Sequence, residues 1–183
     1  ANEEHVQIAL KCIRAKKHVL IEKPMALKSS EVEMLFEEAK RFNVKIMEGF
    51  MYAFHPQFDR IQNIIHSNII GEANYAHSMF SFPIQPARFY RINRPMKNGG
   101  GALWDIGPYA IHTIRQCFKK NPQRVYAQAE LNDHGADIST TGIIDFGMHK
   151  RATFDISFNC TRRSEYEVFG PNGRVKCPIV WQP

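Results

Sequence analysis

Asp105, Tyr109, His112 and Gln116 follow one another at steps of four, three and four, spacings that return to one face of an α-helix. An aspartate, a tyrosine and a histidine on one face can move a proton and orient hydroxyl groups. They stand behind three consecutive glycines, Gly99 to Gly101, where the backbone can bend or approach a ligand without a Cβ in the way. Pro108 suits only the first turn of a helix, so Asp105 is expected at or just before the helix start. A free tyrosine titrates near ~10, so proton transfer near neutral pH calls for a cation beside it. Lys23, in Glu22-Lys23-Pro24, is the candidate, and it is expected to lower the tyrosine pKa. It follows a short apolar run at the carboxyl end of an expected parallel strand, where open α/β sheets bind ligands. Pro24 holds Lys23 out of the helical region. Each residue also admits a structural role. Asp105 can be a helix cap, Tyr109 can be bonded to a backbone carbonyl, His112 can be a satisfied structural histidine, and Lys23 can be a surface lysine. Their grouping behind one glycine run favours a site.

The elements that must position these residues fall into two parts. Asn2 to Arg14 places Val6, Ala9, Leu10 and Ile13 on one helical face. His18 to Ile21 reads as a buried strand. The next helix carries a capping box, Ser30 with Glu33, and an apolar face of Val32, Leu35, Phe36 and Ala39. "NVKIMEGF" is a second strand. Helix, strand, helix, strand is the rhythm of a parallel α/β sheet. A helix over His55 to Ile65 follows, then long strands take over: "ANYAHSMFSF", "RVYAQAEL", "STTGIIDFG" and "RATFDISFN". In the last, Ala152, Phe154, Ile156 and Phe158 alternate with polar residues, as in an antiparallel sheet with one wet face. "GPNG" is a turn before "RVKC". The boundary is placed near Gly49 to Tyr52. The expected fold is thus α/β over residues 1–50, followed by a mostly antiparallel α+β part over residues 51–183. Between Leu103 and Phe118 the apolar residues recur at helical spacing, with Pro108 limiting where the regular helix can begin.

The 183 residues carry 24 basic and 18 acidic side chains, for a net charge of +6 that is spread along the chain. Neither a basic stripe nor an aromatic platform for nucleic acid is visible. No apolar run reaches the length of a membrane span. Cys12, Cys117, Cys160 and Cys177 are widely spaced, with no CxxC pair, which speaks against a zinc site and a disulfide framework and fits the cytoplasm. No metal site is expected. A hydrolase reading lacks a G-x-S-x-G elbow.

"KHVLIEKPMA" followed by "NGGGALWDIGPYAIH", roughly eighty residues apart with "MEGFMYAFHPQF" between them, resembles the Gfo/Idh/MocA family of NAD(P)-dependent oxidoreductases. The resemblance implies hydride transfer between NAD or NADP and a sugar or cyclic diol, with residues 1–50 as the end of a dinucleotide-binding (Rossmann) domain and 51–183 as an open-sheet substrate and oligomerisation domain, incomplete at its C-terminus. It implies that Glu22, Lys23 and Pro24 lie at the cofactor, with Lys23 near the nicotinamide and the substrate hydroxyl. It also implies that Asp105 orients the substrate and that Tyr109 is the proton-transfer residue. His112 is a second substrate-binding candidate. Tyr90 and Arg91 match an aromatic-Arg pair that touches the cofactor in NADP-using members, and Tyr109 in "DIGPY" favours the NADP-using branch of dihydrodiol dehydrogenase, xylose dehydrogenase and glucose–fructose oxidoreductase. The family's GxGxxG fingerprint is absent here, and the chain opens inside a helix with no strand before it. A fragment of a longer protein is therefore expected, with ~70 to 120 residues upstream. Family members pair their sheets, so a dimer or tetramer is expected. The alternative is a non-catalytic NAD(P)-binding sensor of the same fold.

Overall fold

The computed structural model describes residues 2–181. Helix α1 (His5–Arg14) buries Ala9 and Ile13 and carries Lys11 and Arg14 in its last turn, where cations suit the helix dipole. Strand β1 (Val19–Ile21) pairs in parallel with β2 (Ile46–Glu48), Val19 opposite Ile46. Helix α2 (Ser29–Arg41) joins them. Both helices pack on one face of this two-stranded sheet, over a core of Ala9, Ile13, Ile21, Met25, Leu35 and Ala39. On the opposite face Leu20 and Met47 stand side by side, 66% and 46% exposed.

Two expectations for α2 are corrected. Its N-cap is Lys28, in extended conformation, so Ser30 lies inside the first turn and does not cap it. The reach-back comes from Glu31, whose carboxylate accepts from Leu27 N at 3.2 Å. Phe36 is 49% exposed and leaves the buried face to Leu35 and Ala39.

After α3 (Pro56–His66) the chain builds a six-stranded sheet in the order β4-β5-β6-β3-β7-β8. Its strands are β3 (Tyr75–Ser81), β4 (Arg124–Leu131), β5 (Asp137–Gly147), β6 (Lys150–Ser157), β7 (Arg163–Gly170) and β8 (Gly173–Cys177). All neighbours are antiparallel except β3 and β6. The alternation read in "RATFDISFN" holds: Ala152, Phe154, Ile156 and Phe158 are all buried. β7 lacked a place in the sequence reading, although Ser164, Tyr166 and Val168 point inward while Arg163, Glu165 and Glu167 point outward.

The helical stretch that follows the glycine run is two helices. α4 (Ala102–Asp105) is one turn, and α5 (Gly107–Phe118) follows after a break at Ile106. Pro108 has no N–H to continue the ladder, so the backbone must turn there. α5 lies over β3 and β6 and buries Tyr109, Ala110, Thr113, Ile114, Cys117 and Phe118 against them.

Candidate active site

A cavity of about 630 Å³ opens between the two parts of the chain. Glu22 and Lys23, just past β1, line one side. The 3-10 turn Pro86–Arg91, the glycine run and the start of α5 line the other. The glycines serve packing within the protein. Gly99 and Gly101 have φ of 77° and 103°, and a Cβ at Gly100 would collide with the Arg94 carbonyl oxygen.

Lys23 is committed to Asp105. Its ammonium donates to the Asp105 carbonyl at 2.5 Å and to Oδ1 at 3.2 Å. Arg91 donates to the same carboxylate oxygen and also to the Tyr90 hydroxyl, at 3.1 Å. Lys23 and Asp105 are nearly enclosed, with side chains 11% and 10% exposed. Asp105 is therefore no helix cap: it ends α4 and joins two cations contributed by distant segments.

Tyr109 faces the cavity with Lys23 Nζ 4.9 Å from its ring centroid, over the ring and away from hydrogen-bond reach of its hydroxyl. The hydroxyl donates to Met51 Sδ at 3.6 Å. Burial, then the carboxylates of Asp105 and Glu22, push the phenol up to about 12, and Arg91 pulls the other way. The expectation that Lys23 lowers this pKa is corrected, because its ammonium is engaged by Asp105 and the surroundings of the phenol disfavour a phenolate.

His112 stands apart from the cavity. It stacks on Phe50 at 4.3 Å, and its Nδ1 accepts from the Tyr52 hydroxyl at 2.6 Å. Behind that bond runs a buried chain in which Thr113 donates to Tyr52 at 2.9 Å and Trp181 Nε1 donates to Thr113 at 3.2 Å. Burial holds His112 down to about 4, so it is neutral. Pro24 also turns away and lines a separate apolar groove with Met25, Phe36 and Met47. Its carbonyl accepts from the His5 ring at 2.8 Å. Asp105, Tyr109, Glu22, Lys23, Tyr90 and Arg91 do share the cavity.

The cavity also has an aromatic wall of Phe80, Phe82 and Trp181, with Arg88 and Arg94 on its basic side; of these, sequence reasoning missed Trp181. Trp181 stacks on Phe80 at 4.8 Å, a pairing about a hundred residues apart that no local pattern could announce. Arg88 and Arg91 lie in the 3-10 turn and Arg94 three residues past its end, a spacing that was legible. Among the described residues there is no group of three or more His, Cys, Asp or Glu able to hold a metal ion, and no helix long and apolar enough to cross a membrane. The four cysteines are free.

The family description "Oxidoreductase family, NAD-binding Rossmann fold" matches residues 1–50, and "GFO/IDH/MocA C-terminal domain" matches residues 58–176. A trans-1,2-dihydrobenzene-1,2-diol dehydrogenase of Xenopus laevis is 29% identical over 183 residues, covering 98% of this chain and 54% of that protein. A D-xylose 1-dehydrogenase (NADP(+)) of Haloferax volcanii is 32% identical over 161 residues, covering 87% and 48%. The structure of a 3-ketoreductase from Actinomadura kijaniata, in complex with NADP and TDP-benzene, superposes with a TM-score of 0.88 at 27% identity, covering 100% of this chain and 56% of that one. The chain thus spans about half the length of the relatives it matches. A parallel α/β unit feeding a mixed sheet, joined at a cavity by Lys23, Asp105 and Tyr109, accords with these matches: the chain belongs to the Gfo/Idh/MocA oxidoreductase family.

Proposed function

We propose that this protein is an NAD(P)-dependent oxidoreductase that moves hydride between the cofactor, preferentially NADP, and a CH–OH carbon of a sugar or cyclic diol. The observation that carries the reading is the convergence of Lys23, Asp105, Tyr109 and Arg91 on one cavity from segments far apart in the chain. Residues 1–50 are assigned to the dinucleotide-binding part and 51–183 to the substrate part. The cytoplasm is the assigned compartment, in keeping with four free cysteines. A homo-oligomer formed through the uncovered sheet face belongs to the same reading.

The donor set suits a phosphate-bearing, flat-ringed cofactor. Lys23, Arg88, Arg91 and Arg94 supply positive charge, Tyr90 an aromatic face, and Gly99 and Gly101 close backbone approach. Glu22, Lys23, Tyr90 and Arg91 are the residues assigned to hold it. NAD(P), when bound, donates or accepts the hydride. Tyr109, kept protonated by its surroundings, is the proton donor for carbonyl reduction. In the reverse direction it must first lose that proton, so oxidation gains from alkaline pH. Lys23 offers its ammonium charge to a substrate oxygen. Asp105 holds Lys23 and Arg91 in place and orients a neighbouring hydroxyl. Phe80, Phe82 and Trp181 give a sugar or cyclic diol an apolar face to lie on and exclude water.

The test is reduction of NADP and NAD by the full-length protein with a panel of aldoses, inositols and dihydrodiols, followed by absorbance of the reduced nicotinamide. Turnover with at least one, faster with NADP, is expected. Tight NADP binding with no turnover of any would overturn the reading in favour of a sensor.

A further inference from the structure

The helix that ends in Asp105 is one turn long and has no side-chain cap of its own, because its N-cap residue is Gly101. Its first amides need an acceptor from elsewhere. Asp137, at the start of β5, supplies one. Its Oδ2 accepts from Leu103 N at 2.8 Å and from Thr140 Oγ1 at 2.7 Å. Asp137 is wholly buried, and its Oδ1 makes no hydrogen bond. That oxygen lies against Gly101, where a Cβ would collide with it. Burial pushes the carboxyl above its ordinary range, and the hydrogen bonds from the Thr140 hydroxyl and the Leu103 amide oppose that shift. So exacting an arrangement at the foot of a four-residue helix calls for a reason.

We propose that Asp137 is a positioning residue for the reaction assigned above. It fixes the single turn that carries Asp105 and, through Asp105, the ammonium of Lys23 and the guanidinium of Arg91. The linkage is short. Asp137 holds Leu103 N, Leu103 and Asp105 share the turn Ala102–Asp105, and the Asp105 carbonyl and carboxylate hold Lys23. The glycine at 101 then has a cause: no side chain fits between the turn and the carboxylate that anchors it. The proposal rests on the reading that Lys23 acts in hydride transfer.

Asp137→Ala removes the acceptor from Leu103 N, and Asp137→Asn keeps an oxygen for it. In the full-length protein, well below the melting temperature, Asp137→Ala is expected to lower kcat about ten- to a hundredfold. KM for the cofactor should rise alongside, because Lys23 and Arg91 also hold it, and hydrogen exchange at the Leu103 amide should accelerate. Asp137→Asn should restore both readouts. Thr140→Val removes one of the two bonds to the same oxygen and should give an intermediate kcat, which keeps the test open if Asp137→Ala does not fold. Wild-type kcat in folded Asp137→Ala, or in Thr140→Val where the first variant fails, would overturn the proposal. Lys23→Met, assayed alongside, separates the two levels. Full turnover by Lys23→Met sinks the assignment of Lys23 to hydride transfer, whereas an inactive Lys23→Met beside a fully active Asp137→Ala sinks the positioning role alone.

Discussion

Tyr109 keeps its proton across the neutral range because burial and the carboxylates of Asp105 and Glu22 oppose a phenolate. The sign of the pH dependence follows. With the phenol near 12, the basic form grows about tenfold per pH unit at any lower pH, so kcat/KM for alcohol oxidation should climb between about pH 8 and 10. Carbonyl reduction, which needs the protonated form, should be flat over the same interval. Tyr109→Phe should cost at least ~100-fold in kcat and abolish the slope while sparing cofactor binding. A flat oxidation profile in the wild type, or an unchanged rate in the variant, would remove Tyr109 from proton transfer. His112 makes a different forecast. Its folded pKa is held near 4, below its ordinary value of 6.5. The unfolded chain therefore binds the extra proton first, so stability is fully present above about 6.5 and is lost as pH falls toward 4. His112→Asn keeps an acceptor for the Tyr52 hydroxyl without the titration. The loss of melting temperature between pH 7 and pH 5 should be smaller in that variant than in the wild type; equal losses would show that His112 does not carry the dependence.

The turn from Pro95 to Asp105 shows how an element smaller than a helix can set a site. Gly100→Ala drives a Cβ into the Arg94 carbonyl, which sits on a backbone held by Gly101 N to Arg91 O at 2.8 Å and Gly100 N to Pro95 O at 3.3 Å. Strain at such a position is worth about 1–3 kcal/mol. Urea unfolding should report a loss of that order, together with weaker activity from a displaced Arg91. A Gly100→Ala protein as stable as wild type would mean that the loop shifts freely. Much of this was legible in the sequence, since glycine run, Pro108 and periodicity marked a break followed by a helix. What stayed hidden was which groups crowd the glycines, because Arg94 and Asp137 reach them through tertiary contacts. The same divide runs through the other elements. β6 was plain because its dry and wet residues alternate strictly, and the parallel rhythm of β1 and β2 was plain from the helices between them. The cap of α2 was misplaced because the helix starts at Ser29 after an extended Lys28 that makes no side-chain cap, and Glu31 reaches back to Leu27 N where Glu33 was expected to reach back. Asp105 and Tyr109 reach one cavity even though the helix supposed to align them is broken at Ile106, while His112, on the same expected face, ends on Phe50 and Tyr52.

At the scale of the molecule, the six-stranded sheet has one face under α5 and one face that no helix among the described residues covers. Register places Tyr126, Ile143, Thr153, His77, Glu167 and Lys176 in one row across that open face. The row changes character along its length. At the β4–β5 end Tyr126 and Ile143 are adjacent, 61% and 49% exposed, whereas at the far end Lys176 is paired with Glu167 at 3.1 Å and Glu165 at 3.0 Å. All of β4 is exposed, although it carries Val125, Tyr126 and Leu131. An edge strand with this much bare apolar surface is a liability for a lone chain unless a partner covers it. A second copy meets the need under twofold symmetry, since each face then presents the same apolar end to its mate. The full-length protein at about 10 μM should therefore sediment as a dimer or tetramer. Tyr126→Glu combined with Ile143→Lys places charge in the apolar end and leaves the buried face of the sheet untouched, so it should shift the mass toward the monomer without unfolding the chain. A wild-type protein that sediments as a monomer would refute assembly altogether. A double variant that keeps the wild-type mass would move the interface away from the β4–β5 end of the sheet.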